Sequence, residues 1–273
     1  MTSSPPPALT FDWADLTAPE LAELVERDPV VVLPLAAIEQ HGPHLPLSTD
    51  LVIGRGILEH ARRSLPPDLP VLVLPEQATG ASLEHAAYAG TLTLSADTLG
   101  RVIHETAGAL ARIGLKRLVL FNTHGGNKHV VDEAGLRARS DHGMLVVKAH
   151  SFRLPRPAGV DLPEGEWEHG LHGGAVETAM MLHLGPESVR RDRVETFTSL
   201  GEELVDHLAL LRPEGSASFS WLAHDLNHHG VTGDARLATA EMGRLLVEGY
   251  GASLAAVIQD ARGFPLERLR PAP

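Results

Sequence analysis

The chain contains no cysteine among its 273 residues. This absence excludes disulfide bonds, thiolate metal ligands and a thiol nucleophile, so any metal must be held by His, Asp and Glu. Basic side chains are also in deficit, because 23 Lys and Arg stand against 35 Asp and Glu and give a formal charge of −12. A nucleic-acid-binding surface must neutralise phosphates with basic side chains. The sequence therefore predicts no nucleic-acid partner.

Long apolar segments are missing as well. The longest apolar run covers residues 30–38, whereas a membrane-spanning helix needs about 20 apolar residues. The first ten residues, MTSSPPPALT, have neither the basic nor the apolar region of a secretory signal. We expect a flexible arm over 1–10, one domain over 11–265, a tail over 266–273, no membrane partner and a cytoplasmic location.

Apolar residues follow two different periods along the chain. A continuous β-branched run such as VVVLPL at 30–35 is typical of a central strand covered on both faces, whereas spacings of three and four residues are typical of amphipathic helices. Predicted helices cover 17–27, 51–63, 96–113, 130–139, 176–184 and 239–261, and predicted strands cover 30–35, 71–74, 117–121 and 144–147. This alternation predicts an α/β fold, a single-domain three-layer α/β/α sandwich with a mainly parallel sheet. Residues 152–167 are expected to form a loop.

Aromatic residues are scarce (6 Phe, 3 Trp and 2 Tyr), whereas there are 16 histidines. Several histidines cluster with carboxylates after predicted strands, where parallel sheets bind their ligands. The segment EQHGPHLPLSTD places Glu39, His41, His44 and Asp50 after the first predicted strand, and NTHGGN places His124 after another. Glu39 and His41 are two residues apart, so in an extended segment both point to one side and can reach one metal centre. His44 is either a further ligand or a residue that stiffens this loop.

A third cluster, EHGLHGGAVETAMML, contains His169 and His172 and puts Glu177 on an otherwise apolar helix. A carboxylate in such a helix is costly unless a cation meets it. Residues 224–233 hold three more histidines, and we expect a solvated loop there that can line the pocket. The chain has no G-x-S-x-G elbow, P-loop, G-x-G-x-x-G or H-E-x-x-H motif. Metal-assisted hydrolysis is the chemistry that remains.

The same segments resemble a known family. IEQHGPHLPLSTD, NTHGGN and HGGAVET are similar to the three signature segments of the creatininase family of metal-dependent amidohydrolases, and GASLEHAAYAGTLTLS is similar to its linking motif. The resemblance spans about 31–184. It implies an α/β/α sandwich, two divalent metal ions per chain (zinc or manganese, with iron possible) and a homohexamer built as a trimer of dimers.

The resemblance also assigns roles to the clustered residues. It makes Glu39 a ligand of one metal, His41 a ligand of the other, Asp50 the bridging carboxylate and His124 a further ligand of the first metal. Glycine stands at 126, where creatinine-cleaving members have a ligand glutamate. Two further residues complete the predicted site: Glu177, which would supply that carboxylate, and His172, which matches the catalytic histidine.

The resemblance further implies a reaction, in which a hydroxide bridging the metals attacks a carbonyl and His172 protonates the leaving nitrogen. Creatinine-cleaving members have a tryptophan just ahead of the catalytic histidine, but here Glu168 takes that place and Trp167 is one residue away. We therefore expect a small cyclic amide or formamide other than creatinine as substrate. Two alternatives stay open: a metallopeptidase that trims a precursor peptide, as in mycofactocin maturation, and a hydrolase that opens a cyclic sugar ketone.

Overall fold

Five parallel strands form the central sheet of the computed structural model, which describes residues 10–270. The spatial order is β1-β3-β2-β4-β5, so β2 lies in the middle, as predicted for the β-branched run. The strand bounds are β1 Thr10–Asp12, β2 Val30–Leu35, β3 Val71–Val73, β4 Arg117–Asn122 and β5 Leu145–His150. Every neighbouring pair in the sheet is parallel. The predicted α/β sandwich is confirmed.

Helices cover both faces of this sheet. Each predicted helix is present with ends shifted by a few residues, and three short helices join them in the last part of the chain. The bounds are α1 Ala18–Val25, α2 Thr49–Ser64, α3 Ala96–Arg112, α4 Lys128–His142, α5 Glu164–His169, α6 Ala175–Leu184, α7 Leu200–Val205, α8 Ala223–Leu226 and α9 Ala240–Gly263. Two small pairings of short strands, β6 Thr196–Phe197 with β9 Gly233–Asp234 and β7 Leu211–Arg212 with β8 Ala217–Ser218, complete the fold.

Alternate residues of β2 supply the two hydrophobic cores. Val30 and Val32 pack into the core beneath α2, α6 and α9, whereas Val31 and Leu33 pack into the core beneath α1, α3 and α4. Successive strand side chains point to opposite faces, so a strand between two helix layers must be apolar throughout. The continuous apolar run is explained by this position.

Several sequence expectations need correction. Asp50 was expected just before a helix, but α2 begins at Thr49 and so holds Asp50 in its first turn. The expected loop at 152–167 contains the start of α5. Thr10, assigned to the arm, is the first residue of β1, which the sequence did not predict.

The remaining terminal residues, 1–9 and 271–273, lie outside the described residues, and so does that part of the predicted arm and tail. Residues 266–268 of the predicted tail form a short 3-10 helix. Among residues 10–270, no helix has both the length and the apolar character that crossing a membrane requires.

Candidate metal centre

The carboxyl ends of three strands align at one edge of the sheet, where Leu35, Asn122 and His150 are paired across β2, β4 and β5. Asn127 ties the loops that leave this edge. Its side-chain amide donates to the carbonyl of Ala36 (3.1 Å) and to Asn122 Oδ1 (3.0 Å), and its Oδ1 accepts from the amide of Ala81 (2.9 Å). One buried side chain therefore holds the segments after β2, β3 and β4 together.

The structure brings all the predicted site residues to this edge. Asp50 lies between two histidines, with Oδ1 at 3.6 Å from His41 Nε2 and Oδ2 at 3.4 Å from His124 Nδ1. Glu39 Oε1 lies 3.1 Å from the same His124 Nδ1. This arrangement of Asp50, with one oxygen toward each histidine, is suited to a carboxylate that bridges two cations.

Backbone carbonyls orient both histidines. His41 Nδ1 donates to the carbonyl of Glu39 (3.1 Å), and His124 Nε2 donates to the carbonyl of Ala81 (3.0 Å). The other ring nitrogen of each, Nε2 of His41 and Nδ1 of His124, then faces the carboxylates. Metal-binding histidines typically have such a partner on the second nitrogen, because it fixes the tautomer and the ring orientation.

Buried atoms without hydrogen-bond partners converge at the centre of the cluster. They are both carboxylate oxygens of Glu39, Nε2 of His41 and Oδ2 of Asp50. Glu39 and His41 are completely buried, and buried polar atoms are nearly always paired. Groups of three residues that include Glu39, His41 and Asp50 offer ligand atoms within 4.8 Å of one another. The donor set therefore fits divalent cations that prefer nitrogen and oxygen ligands.

Glu177 lies on the His41 side of the cluster. Its Oε2 is 3.7 Å from His41 Nε2 and accepts the amide of Gly173 (2.6 Å) from the loop before α6. Desolvation raises the pKa of Glu177 to about 7. Burial lowers the pKa of His41, but its contacts with Asp50 and Glu177 outweigh this and raise it to about 9. Protonated His41 therefore faces the carboxylates of Asp50 and Glu177. A bound cation would otherwise neutralise their charge.

His172 lies against two histidine rings of the cluster, with ring centroids 4.1 Å from His41 and 4.2 Å from His85. Its Nε2 donates to the carbonyl of Gln40 (2.7 Å), and its Nδ1 lies 3.7 Å from Glu39 Oε1. Burial, together with the charges of His41 and His85, lowers the pKa of His172 well below its ordinary value. His172 is therefore neutral near pH 7, with a lone pair on Nδ1 facing the cluster.

Three residues at the site were not predicted to be functional. Gln40 donates from Nε2 to His85 Nδ1 (2.7 Å) and to the carbonyl of Gly230 (2.6 Å). His85 then presents its Nε2 hydrogen toward Glu39 Oε1, 3.6 Å away. Glu84, next to it, faces His124 Nε2 at 3.6 Å, and desolvation raises the pKa of its carboxyl. The signal in the sequence was the LEH of the linking motif, which lies on a short 3-10 turn and not directly after a strand.

Other histidines have structural roles or lie apart. His44 Nε2 is 3.0 Å from both the Gly173 carbonyl and Thr178 Oγ1, so it stiffens the loop and joins none of the metal-ligand groups in the described chain. The end of segment 224–233 does reach the site, because the amide of Thr232 donates to the carbonyl of His172 (2.8 Å). Trp167 packs against the hydrophobic core beneath Arg156, whose guanidinium lies 4.7 Å from the ring centroid.

Glu166 fixes the loop that carries His172. Its carboxylate is buried and accepts two backbone amides, Ala175 on Oε1 and Asp234 on Oε2, each at 2.7 Å. These amides belong to the start of α6 and to β9. The carboxylate therefore joins α5, α6 and the C-terminal segment next to the catalytic candidates.

A parallel α/β/α sandwich with His and carboxylate groups gathered at the carboxyl edge of its sheet is the kind of scaffold that metal-dependent hydrolases use. The chain belongs to the creatininase family, because the family model for creatinine amidohydrolase matches residues 14–258. The resemblance found in the sequence is thereby confirmed, and the protein is a hydrolase of that family.

Relatives in the family carry two different names. A mycofactocin precursor peptide peptidase of Mycobacterium ulcerans is 34% identical over 228 residues, which are 82% of each chain. A creatinine amidohydrolase of Pseudomonas putida is 28% identical over 256 residues, 88% of this chain and 92% of that protein. A solved structure named creatininase Mn matches with a TM-score of 0.74 and 26% identity over 94% of this chain and 99% of its own.

Proposed function

We propose that the protein hydrolyses an amide C–N bond with two divalent metal ions. The convergence of buried, unpartnered ligand atoms from Glu39, His41 and Asp50 carries this proposal. One ion would be held by Glu39 and His124 and the other by His41 and Glu177, with Asp50 shared by both. Zinc and manganese both suit this ligand set, and the related creatininase structure is named for Mn.

The bound ions would supply Lewis acidity, which lowers the pKa of water and polarises the substrate carbonyl. His172 moves the proton. Its Nε2 hydrogen is committed to the Gln40 carbonyl, so Nδ1 is free to accept a proton from the nucleophilic water and pass it to the leaving nitrogen. An amide needs this step because an amine anion leaves poorly, and a positioned acid contributes about 10²- to 10⁴-fold.

Two substrate classes fit this chemistry, a small cyclic amide or formamide and a precursor peptide. The peptide is favoured by the 34% identity to the mycofactocin peptidase and by the surface around the site. Leu83 and Leu92, which adjoin Glu84 and Ile38, are 73% and 56% exposed, and exposed apolar side chains beside the site are available to contact the side chains of a peptide. Trp167 packs against the hydrophobic core and against Arg156, which disfavours a role for it in enclosing a flat ring.

Metal analysis and a substrate screen test the proposal together. Protein purified without chelators is expected to hold about two equivalents of zinc, manganese or iron by plasma mass spectrometry. It is then offered mycofactocin-type precursor peptides beside cyclic amides and formamides. Amine release from the peptides supports trimming, and release from the cyclic amides alone supports small-amide hydrolysis. The variant His172→Asn should keep the metal and lose turnover, whereas a wild-type chain with one equivalent or less refutes the two-metal centre.

We propose a homohexamer made of three dimers, in the cytoplasm, by the family resemblance. Sedimentation velocity of the metal-loaded protein should show a species about six times the chain mass of 29.2 kDa. A monomer across the concentration range would contradict this assembly.

A further inference from the structure

Gly126 leaves a space beside His124 that another residue fills. A Cβ built at Gly126 would collide with Glu84 Oε1 and the carbonyl of Ala81, and would lie 2.5 Å from His124 Nε2. The backbone there has no positive φ that would itself require glycine. Position 126 is therefore kept without a side chain by the backbone carbonyl of Ala81 and the ring of His124, and the Glu84 carboxylate occupies the same space.

Two contacts of Ser82, one with Thr93 and one with His124, hold the turn that carries Glu84. The amide of Ser82 donates to Thr93 Oγ1 (2.8 Å), and Ser82 Oγ lies 3.2 Å from His124 Nε2. Leu83 points outward, 73% exposed, whereas the Glu84 side chain is only 18% exposed. A glutamate turned inward while its leucine neighbour faces solvent reverses the usual preference, and its carboxylate faces His124, whose Nε2 lies 3.6 Å from Oε1.

A second carboxylate, that of Glu39, lies close to Glu84. Glu84, Glu39 and His124 each offer a ligand atom, and these atoms lie within 4.8 Å of one another. Both oxygens of Glu39 are buried without a hydrogen-bond partner. Two carboxylates at this separation repel strongly in a desolvated site unless a cation lies between them. The unpaired oxygens of Glu39 point to that cation independently of Glu84.

We infer that Glu84 is a further carboxylate ligand of the metal centre, on the side of Glu39 and His124. This inference rests on the proposed two-metal function and deepens it. Glu177 serves the opposite side, where it faces His41. With Glu84 the centre has four carboxylates, whose charges balance two divalent cations. Glu84 thus adds, from the loop after β3, a carboxylate beyond the one that Glu177 is expected to supply in place of an acidic residue at position 126.

Metal binding to the variant Glu84→Gln tests the assignment without recourse to activity. Metal-free protein is titrated with Mn²⁺, and the free ion is followed by its electron paramagnetic resonance signal. The substitution keeps the side-chain shape and removes the charge. Glu105→Gln removes the same charge from an exposed position on α3 and is the matched control. Circular dichroism checks that each variant is folded.

Wild type and Glu105→Gln are expected to bind two Mn²⁺ ions, whereas Glu84→Gln should bind one of the two at least roughly tenfold more weakly. Two sites of wild-type affinity in Glu84→Gln would overturn the inference while leaving the two-metal function intact. Fewer than two sites in the wild type would overturn the two-metal function and the inference with it.

Discussion

Asp50 directs one carboxylate oxygen toward each half of the centre, at 3.6 Å from His41 and 3.4 Å from His124. The variant Asp50→Ala should abolish turnover and weaken metal binding by about 100-fold or more, because a shared ligand is lost from both ions. Metal content after dialysis measures the effect. Retention of metal at wild-type stoichiometry would contradict the bridging assignment. Asp141→Ala, at an exposed position of α4, is a control that should retain two ions.

His44 makes stability depend on pH. Burial lowers its pKa from the ordinary 6.5 to about 4, so between these values the unfolded chain binds a proton that the folded chain does not. Stability conferred by neutral His44 is complete above pH 6.5 and is lost as the pH falls toward 4. His85 and His150, with pKa values also near 4, add to the same slope.

Urea unfolding of metal-free protein between pH 7 and 4 measures how stability depends on the protonation of His44. We expect His44, His85 and His150 to lower the free energy of unfolding as the pH falls. Glu177, with a pKa of about 7 instead of 4.5, contributes in the opposite direction. His44→Asn, which retains an amide donor toward Gly173 and Thr178, should show a shallower fall. An unchanged slope in His44→Asn would mean that His44 titrates alike in the folded and unfolded chains.

At the scale of elements, long periodic segments were predictable and short ones were not. The apolar run at 30–35 became β2 because strands inside a doubly covered sheet are apolar on both faces. β1 has three residues, which are too few to show a hydrophobic period. Its position beside β3 depends on backbone pairing, which cannot be inferred from the residue types of β1. The Leu83–His85 turn was missed for the same reason, and Glu84 with it.

The sequence predicted the part of the candidate site that follows from the positions of the strand ends. Parallel strands bring Glu39 and His124 to one edge of the sheet, so their meeting follows from topology. The contacts that orient the rings do not follow from it. The Gln40 bond to Gly230 and the His172 bond to the Gln40 carbonyl join residues more than 100 positions apart, and no local pattern encodes them.

Glu166 links three elements through one carboxylate. A Cβ at Gly170, Gly174 or Gly233 would collide with Glu166 or approach it within 2.6 Å, so these glycines form the cradle that admits it. Glu166→Gln replaces one acceptor oxygen by an amide that faces a backbone donor. An unsatisfied buried donor costs about 1–3 kcal/mol, and we expect that loss in the free energy of unfolding.

The control for Glu166→Gln is on the same helix. Glu164 on α5 pairs with Arg156 at the surface, so Glu164→Gln should leave stability nearly unchanged. Urea unfolding measures both variants. Because Glu166 positions the loop of His172, Glu166→Gln should also lower kcat with little change in KM. If Glu166→Gln and Glu164→Gln were equally stable, Glu166 would not be the residue that holds this loop in place.

For the whole molecule, the proposed metal centre would connect the sheet to the helices packed beside it. Its candidate ligands come from the first turn of α2, the loops after β2 and β4, and the first turn of α6, so the ions would join elements that pack on different parts of the sheet. Without cations, the buried carboxylates of Glu39 and Asp50 lie close together at a free-energy cost. Metal removal should therefore destabilise the complete fold cooperatively.

Binding to the folded state alone stabilises it by about 2.7 kcal/mol per site at a free metal concentration of 100 Kd. A chain of this size shifts its Tm by about 2–4 °C per kcal/mol, so chelation should lower the Tm by roughly 10 °C or more. Calorimetry with EDTA and with excess Mn²⁺ measures the difference, and Asp50→Asn should show little metal-dependent shift. Identical Tm values for the chelated and loaded wild type would mean that the ions, where bound, do not hold the layers together.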